Sequence, residues 1–141
     1  RGVADVRLLP LAELDESLGT FDTVALLCGN FGLAGSAEKT VAFLERLHSL
    51  TNPAARVVLD TVDPYVDSDD ADLAYLERNR ERGRMPGQVT IRIRYGGLAT
   101  PWYDLLCVSA AELEALAERT GWRSLWHEQD GADVYAALEK R

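Results

Sequence analysis

The chain has 141 residues, 47% of them apolar, and a formal net charge of −8. That is the size and apolar content of one globular domain. The negative charge argues against nucleic acid or an anionic membrane as partner, because phosphates are repelled, and no apolar run approaches the roughly 20 residues that span a bilayer.

Cys28 and Cys107 lie far apart and outside any C-x-x-C pattern. They read as reduced, buried thiols of a cytoplasmic protein, where a structural disulfide is disfavoured. His48 and His127 stand alone in sequence, so no metal site is expected. No signal-peptide pattern is visible in these residues. The first residue is Arg1 rather than methionine, and the chain enters an apolar stretch almost at once. The expectation is a single domain over residues 1–141, incomplete at its N-terminus.

In chain order, Val6, Leu8 and Leu9 predict a short strand stopped at Pro10. Leu11 to Gly19 reads as a brief amphipathic turn or helix ended by glycine. Val24 to Leu27 is a continuous apolar run, which suits a strand of a parallel sheet buried on both faces. Ser36 is placed to cap a helix whose apolar stripe is Val41, Leu44, Leu47 and Leu50. Asn52 before Pro53 disfavours helical backbone and ends it. Ala55 to Asp63 is a second apolar strand, so the unit reads as strand, helix, parallel strand with a right-handed crossover.

An acidic loop, Asp63 to Asp72, leads into a predicted helix from about Asp70 to Arg82, with Gly83 as its stop. Its acids come first and its arginines last, matching the helix dipole. Gln88 to Tyr95 alternates, with Val89, Ile91, Ile93 and Tyr95 on one face and Thr90, Arg92 and Arg94 on the other. That predicts a strand with one wet face. Gly96 and Gly97 open a turn, and Pro101 to Val108 returns as an antiparallel partner. Ser109 and Glu112 form a capping box for a last helix, buried through Leu113, Leu116 and Ala117 and ended by Gly121. Residues 122–140 read as a closing hairpin around Asp130-Gly131. Trp122 and Trp126 read as core or hairpin packing.

This order of elements resembles the second half of a class I S-adenosylmethionine-dependent methyltransferase. The stretch "FDTVALLCGNFG" resembles the family's fourth strand and its substrate-side end, "ARVVLDTVDPY" the fifth, and "GWRSLWHEQDGADVYAALEK" the sixth and the antiparallel seventh. The segment "YLERNRERGRMPGQVTIRIRYGGLATPWYDLLCVSAAEL" resembles a bacterial subgroup acting on small molecules. The resemblance implies a Rossmann-like α/β sheet, mostly parallel with an antiparallel terminal hairpin and an inserted β pair, whose N-terminal part is missing. The family's glycine-rich loop after the first strand and the acidic residue ending the second are not in this sequence. "GNFGLAG" does not replace that loop, since its spacing is wrong for G-x-G-x-x-G.

Ligands of open α/β sheets bind beyond the carboxyl ends of the strands. By resemblance, the cofactor is S-adenosylmethionine. Leu9, Pro10 and Leu11 lie near its adenine, and Cys28, Gly29 and Asn30 along its methionine part. Gly29 allows close backbone approach, and Asn30 offers both donor and acceptor. Asn30 and Phe31 then meet the substrate, with core packing the alternative for Phe31. Methyl transfer chiefly requires alignment, with a base where the nucleophile carries a proton. Asp63 is the candidate base and Tyr65 a substrate wall; Asp104 is a second candidate base, and a cap or ion pair is the alternative for each carboxylate. Arg78, Arg80, Arg82, Arg84, Arg92 and Arg94 make a basic cluster. Arg92 and Arg94, with Tyr95 and Trp102, are candidate substrate contacts, since arginine grips carboxylates and phosphates bidentately. Their alternatives are solvated charges, ion pairs, core packing, or a homodimer contact made by the aromatic residues.

Two functions of different class follow. The first is methyl transfer to a small-molecule acceptor by in-line attack on the sulfonium methyl, without metal. The second is a non-catalytic interaction or assembly module derived from the same fold.

Overall fold

Residues 2–141 are described by a computed structural model of the chain. Its centre is a four-stranded sheet. Strand β1 (Phe21–Leu26) pairs in parallel with β2 (Thr51–Val62). The connection is α1 (Ala37–Ser49), so the strand, helix, strand unit predicted from sequence is present. Ser36 caps α1 by accepting from the Lys39 N–H at 3.3 Å. Phe43, Leu44 and Leu47 turn the helix's apolar stripe onto the sheet. The helix ends before Asn52-Pro53, and β2 starts at Thr51, four residues ahead of the predicted Ala55.

The chain then makes α2 (Asp70–Glu81), closed at its start by a capping box of Asp69 and Asp72. Asn79 is buried on this helix and donates to the Pro86 and Gln88 carbonyls, both at 2.8 Å, which ties the following loop to the helix. Next come β3 (Gln88–Ile91), the two-residue strands β4 (Arg94–Tyr95) and β5 (Leu98–Ala99), and β6 (Tyr103–Leu106). β3 and β6 pair antiparallel, and β4 and β5 form a small arm above them. The predicted alternation fails beyond Ile91. Ile93 and Tyr95 are exposed rather than packed, because the ladder of β3 stops there and no layer covers the arm.

Helix α3 (Ala110–Glu118) opens with the predicted capping box of Ser109 and Glu112. The hairpin of β7 (Trp122–Asp130) and β8 (Asp133–Lys140) completes the sheet, with a two-residue loop of Gly131 and Ala132. The order is β1-β2-β8-β7. β8 inserts between β2 and β7 and runs antiparallel to both, so the described sheet is mixed, with one parallel pair and two antiparallel pairs.

Helices α1 and α3 cover one face of this sheet. The core there is built from Leu26, Val57, Leu59, Ala136 and Leu138 against Phe43, Leu44, Leu47, Leu113, Leu116 and Trp122. Trp122 is fully buried and donates its indole N–H to the Leu44 carbonyl at 3.0 Å, pinning β7 to α1. Trp126 is half exposed instead. The other face is bare among the described residues, and Leu27, Trp126 and Tyr135 remain exposed. β1 is therefore covered on one side only, against the expectation of a strand buried on both faces.

The first predicted strand does not form. Val6, Leu8 and Leu9 carry no ladder, and Val6 and Leu8 are exposed. A strand needs a hydrogen-bonded neighbour, and no described strand pairs with this segment. Leu11–Glu13 and Glu16–Leu18 form short 3₁₀ turns, the brief element expected there.

Candidate functional site: the carboxyl ends of the parallel strands

Past its last paired residue, β1 turns sharply. Cys28 (φ 61°) and Gly29 (φ 76°) are both left-handed. Glycine adopts that conformation freely, whereas cysteine does so at a cost. The turn is held from the neighbouring strand. Asp60 on β2 accepts from the Cys28 N–H at 3.0 Å and from the Gly29 N–H at 2.9 Å, one carboxylate oxygen to each. Charge-assisted bonds of this type are stronger than neutral ones. Sequence reasoning missed Asp60, although a lone acid inside the apolar run "RVVLDTV" is the kind of residue that signals a specific partner.

The same carboxylate fixes which groups are free. The Cys28 and Gly29 amides are taken, while Leu27, Cys28 and Asn30 are exposed. A Cβ built on Gly29 would meet nothing within 4 Å, so open space lies over it. Cys28 and Asn30 are thus open to solvent at this tip, and among the described residues it is a single wall rather than an enclosed pocket.

Phe31 is a correction. It is fully buried in the core cluster beneath the turn Asn30–Ala34, so it is packing rather than a substrate wall. The turn is clamped on the other side by β6. A Cβ on Gly32 would lie 2.7 Å from the Leu106 carbonyl oxygen and 3.0 Å from the Leu105 side chain. Only glycine allows that approach without displacing backbone, so the inserted strands are docked directly onto the tip of β1.

Pro10 and Leu11, expected near the adenine, lie against α1 with Leu33, Ala34, Lys39, Phe43 and Arg46, around a cavity of about 410 Å³. Leu9 is half-buried beside them in sequence and does not line it. The cavity touches the turn that follows the β1 tip, through Leu33 and Ala34, but not Cys28 or Gly29.

At the end of β2, Asp63 is buried. One of its carboxylate oxygens accepts from the Tyr65 N–H at 2.9 Å, and the Gln129 amide lies 3.4 Å from the other. The first contact is the geometry of a turn cap, the alternative expected for this carboxylate, and Asp63 also lines a cavity. Tyr65 is likewise committed. Its hydroxyl donates to Glu112 at 2.7 Å, with the Arg80 guanidinium 5.7 Å from its ring centre. Burial first, then the bond to Glu112, push its pKa up to about 12. Tyr65 thus fastens the β2–α2 loop to α3 and is not a substrate wall. A cavity of about 560 Å³ lies nearby, lined by Val62, Asp63, Asp67, Asp72, Val89 and Thr90 among others.

Asp104 on β6 accepts from Thr90 (2.6 Å), Gln88 (2.9 Å) and Arg84 (2.9 Å). The Thr90 bond leads in holding its pKa below the usual carboxylate value, and Gln88 and Arg84 add to it against partial desolvation. An acid held charged this way is a weak base, so Asp104 is a tie between β3, β6 and the end of α2. Of the predicted basic cluster, Arg80 and Arg84 are spent on Glu77 and Asp104. Arg92 instead stacks on Trp102, its guanidinium carbon 4.7 Å from the ring centre. Arg94 and Tyr95 project from the exposed arm.

Among the described residues no group of three or more His, Cys, Asp or Glu side chains is arranged to hold a metal ion. No helix there is long and apolar enough to cross a membrane.

No protein-family model matches the chain, and no curated protein is similar to it in sequence. Solved structures are. A SAM-dependent methyltransferase from Bacteroides fragilis, in complex with S-adenosyl-L-homocysteine, matches with a TM-score of 0.74 at 23% identity, over 99% of this chain and 55% of that one. The CcbJ methyltransferase from Streptomyces caelestis matches with a TM-score of 0.68 at 12% identity, over 95% of this chain and 66% of that one. An O-methyltransferase of neocarzinostatin biosynthesis, in complex with S-adenosyl-L-homocysteine and 1,4-dihydroxy-2-naphthoic acid, matches with a TM-score of 0.54 at 11% identity, over 87% of this chain and 30% of that one. The chain thus spans about half the length of the Bacteroides protein, and its fold is that of the class I S-adenosylmethionine-dependent methyltransferases.

Proposed function

We propose that the chain is part of an S-adenosylmethionine-dependent methyltransferase acting on a small-molecule acceptor. The observation that carries this reading is the tip of β1. There Cys28 and Gly29 are held open by Asp60, with free space over Gly29, at the carboxyl end of a parallel strand pair in this fold. Solved neighbours of the same fold, crystallised with the demethylated cofactor, support the choice of cofactor.

The cofactor, when bound, supplies a methyl group activated by a sulfonium. The chain's own work is then positioning. Gly29 admits close approach of the methionine part, and the Asn30 amide supplies a donor and an acceptor at the same rim. The Pro10–Leu11 wall fits a flat base in its apolar character. Asp60 keeps the tip rigid without contacting the ligand. Asp104 is spent on three structural bonds and one oxygen of Asp63 on the Tyr65 turn, so the reading asks alignment of these residues rather than proton abstraction. The reading is therefore alignment by in-line geometry, with any proton leaving through the acceptor or solvent. This chain covers 55% of the Bacteroides neighbour, which supports a reading in which further residues complete the opposite wall of the site.

A second reading is favoured by the bare sheet face. Leu27, Trp126 and Tyr135 would suit a non-catalytic assembly module covered by a partner. Calorimetric titration of the full-length protein with S-adenosylmethionine separates the two. Saturable heat, lost when Gly29 is replaced by a bulky residue, is expected for the enzyme. No binding heat at high cofactor concentration would favour the module.

A further inference from the structure

We infer that the β4–β5 arm is a clamp for an anionic aromatic ligand, with Arg92 and Trp102 as its grip. The methyltransferase reading enters only in calling that ligand the methyl acceptor. The arm is unusual for this molecule. Ile93, Tyr95, Leu98 and Trp102 are 58%, 85%, 77% and 62% exposed, a concentration of large apolar surface on ten residues. Clusters of that kind mark binding surfaces. In a chain of net charge −8, the arm also carries Arg92 and Arg94. Neither is in an ion pair or a side-chain hydrogen bond among the described residues, whereas Arg56, Arg80, Arg84, Arg123 and Arg141 all are paired with carboxylates.

Arg92 is not merely loose. Its guanidinium carbon lies over the Trp102 ring at 4.7 Å, a cation–π contact. Its N–H groups make no side-chain hydrogen bond among the described residues, so they are open to grip a carboxylate or phosphate with two parallel bonds. Tyr95, exposed on the same arm, offers a surface for a flat apolar body.

The strand that returns from the arm is docked beside the site. Leu105 of β6 packs on the Gly32 turn that follows the β1 tip, and Trp102 lies three residues earlier in the chain, at most about 10 Å of extended backbone from that contact. The neighbouring cavity carries Asp63, Asp67 and Asp72. Those carboxylates repel an anion, so charge directs the anionic end of a ligand to Arg92 and its neutral end away from it.

The test uses the full-length protein and three probes: 4-hydroxybenzoate, phenyl phosphate and the neutral methyl 4-hydroxybenzoate. Calorimetry and ligand-detected NMR measure binding. Both anions are expected to bind at least about tenfold more tightly than the ester, and the tighter of the two identifies carboxylate or phosphate as the natural group. Arg92→Gln is expected to weaken both anions about tenfold, and Arg92→Lys, which keeps the charge but not the fork, by less. Arg123→Gln, on the far hairpin, is expected to change nothing. Equal binding of ester and anion, or unchanged binding in Arg92→Gln, overturns the inference. So does sedimentation showing a dimer that Trp102→Glu dissociates, without anion binding by either form. S-adenosylmethionine is titrated in parallel. Cofactor binding without anion binding sinks the clamp alone, and anion binding without cofactor binding sinks the methyltransferase reading alone.

Discussion

Removing the Asp60 carboxylate should loosen the tip of β1 and leave the rest of the sheet intact. Asp60 makes two hydrogen bonds to backbone N–H groups, at 3.0 and 2.9 Å, across to a turn with two consecutive left-handed residues. A bond to a charged acceptor contributes about 1.5–3 kcal/mol, and with one amide exposed and the other half-buried, both bonds belong at or below the low end of that range because water partly replaces them. Nothing else among the described hydrogen bonds holds these two amides, and the left-handed Cys28 costs about 1–2 kcal/mol that the turn must offset. Asp60→Ala is therefore expected to destabilise the protein by about 2–3 kcal/mol. Asp60→Asn, which retains one acceptor oxygen and turns an NH₂ toward the other amide, should lose at least half of that. At about 2–4 °C per kcal/mol, Asp60→Ala lowers Tm by about 5–10 °C. Urea unfolding gives the free energy, and calorimetry of the same variant gives the cofactor affinity, which should fall even at temperatures where the fold is fully populated. A variant with unchanged Tm and unchanged affinity would refute the role of Asp60.

Three further perturbations test the supports of the site. Gly32→Ala places a Cβ 2.7 Å from the Leu106 carbonyl oxygen, so the β1 tip and β6 must separate, at about 1–3 kcal/mol by the usual cost of overpacking; urea unfolding measures it, and a neutral result would mean the contact yields freely. Tyr65→Phe should remove the alkaline limb of stability. With the folded pKa raised from 10.0 to about 12, the Tyr65–Glu112 bond contributes fully below pH 10 and its contribution is lost as pH rises from there through the folded value; difference absorbance on the wild-type protein should show a late-ionising component that Tyr65→Phe removes. Asp104→Asn should flatten the acid limb. The folded carboxyl pKa lies below 3.8, so its stabilisation is present above that value and lost as pH falls through the lower folded pKa; identical acid unfolding of variant and wild type would contradict this.

Much of the fold was legible because its signals are local. The Ser109–Glu112 capping box, the acid-to-base gradient of α2 and the Asn52-Pro53 stop each act within a few residues, and each element appears where its signal lies. The strand at Val6–Leu9 was misread because apolar β-formers specify a strand only when a neighbour completes the ladder. For Phe31 the sequence leaves substrate contact and core packing both open, because burial depends on the tertiary layer beneath the turn, which periodicity does not encode. Ile93 and Tyr95 continue a flawless alternation past the point where the structure has anything to pack them against. At the site, sequence located the β1 tip through its Cys-Gly-Asn break. It did not reveal that Asp60, 31 residues from Gly29 in the chain, holds that tip, nor which partners Tyr65 and the two carboxylates Asp63 and Asp104 take, although a cap or ion pair was open for each acid. Long-range side-chain partnerships arise from strand pairing, and no spacing rule in the chain records them.

The central claim is that Cys28, Gly29 and Asn30 form one wall of a cofactor site. Amide chemical-shift mapping of the isotope-labelled full-length protein during titration with S-adenosylmethionine tests it most directly. The account predicts saturable shifts at these three amides, with Arg123 and Glu139, at the opposite end of the sheet beside Arg56, unmoved. A saturable titration that leaves the 28–30 amides in place would contradict it.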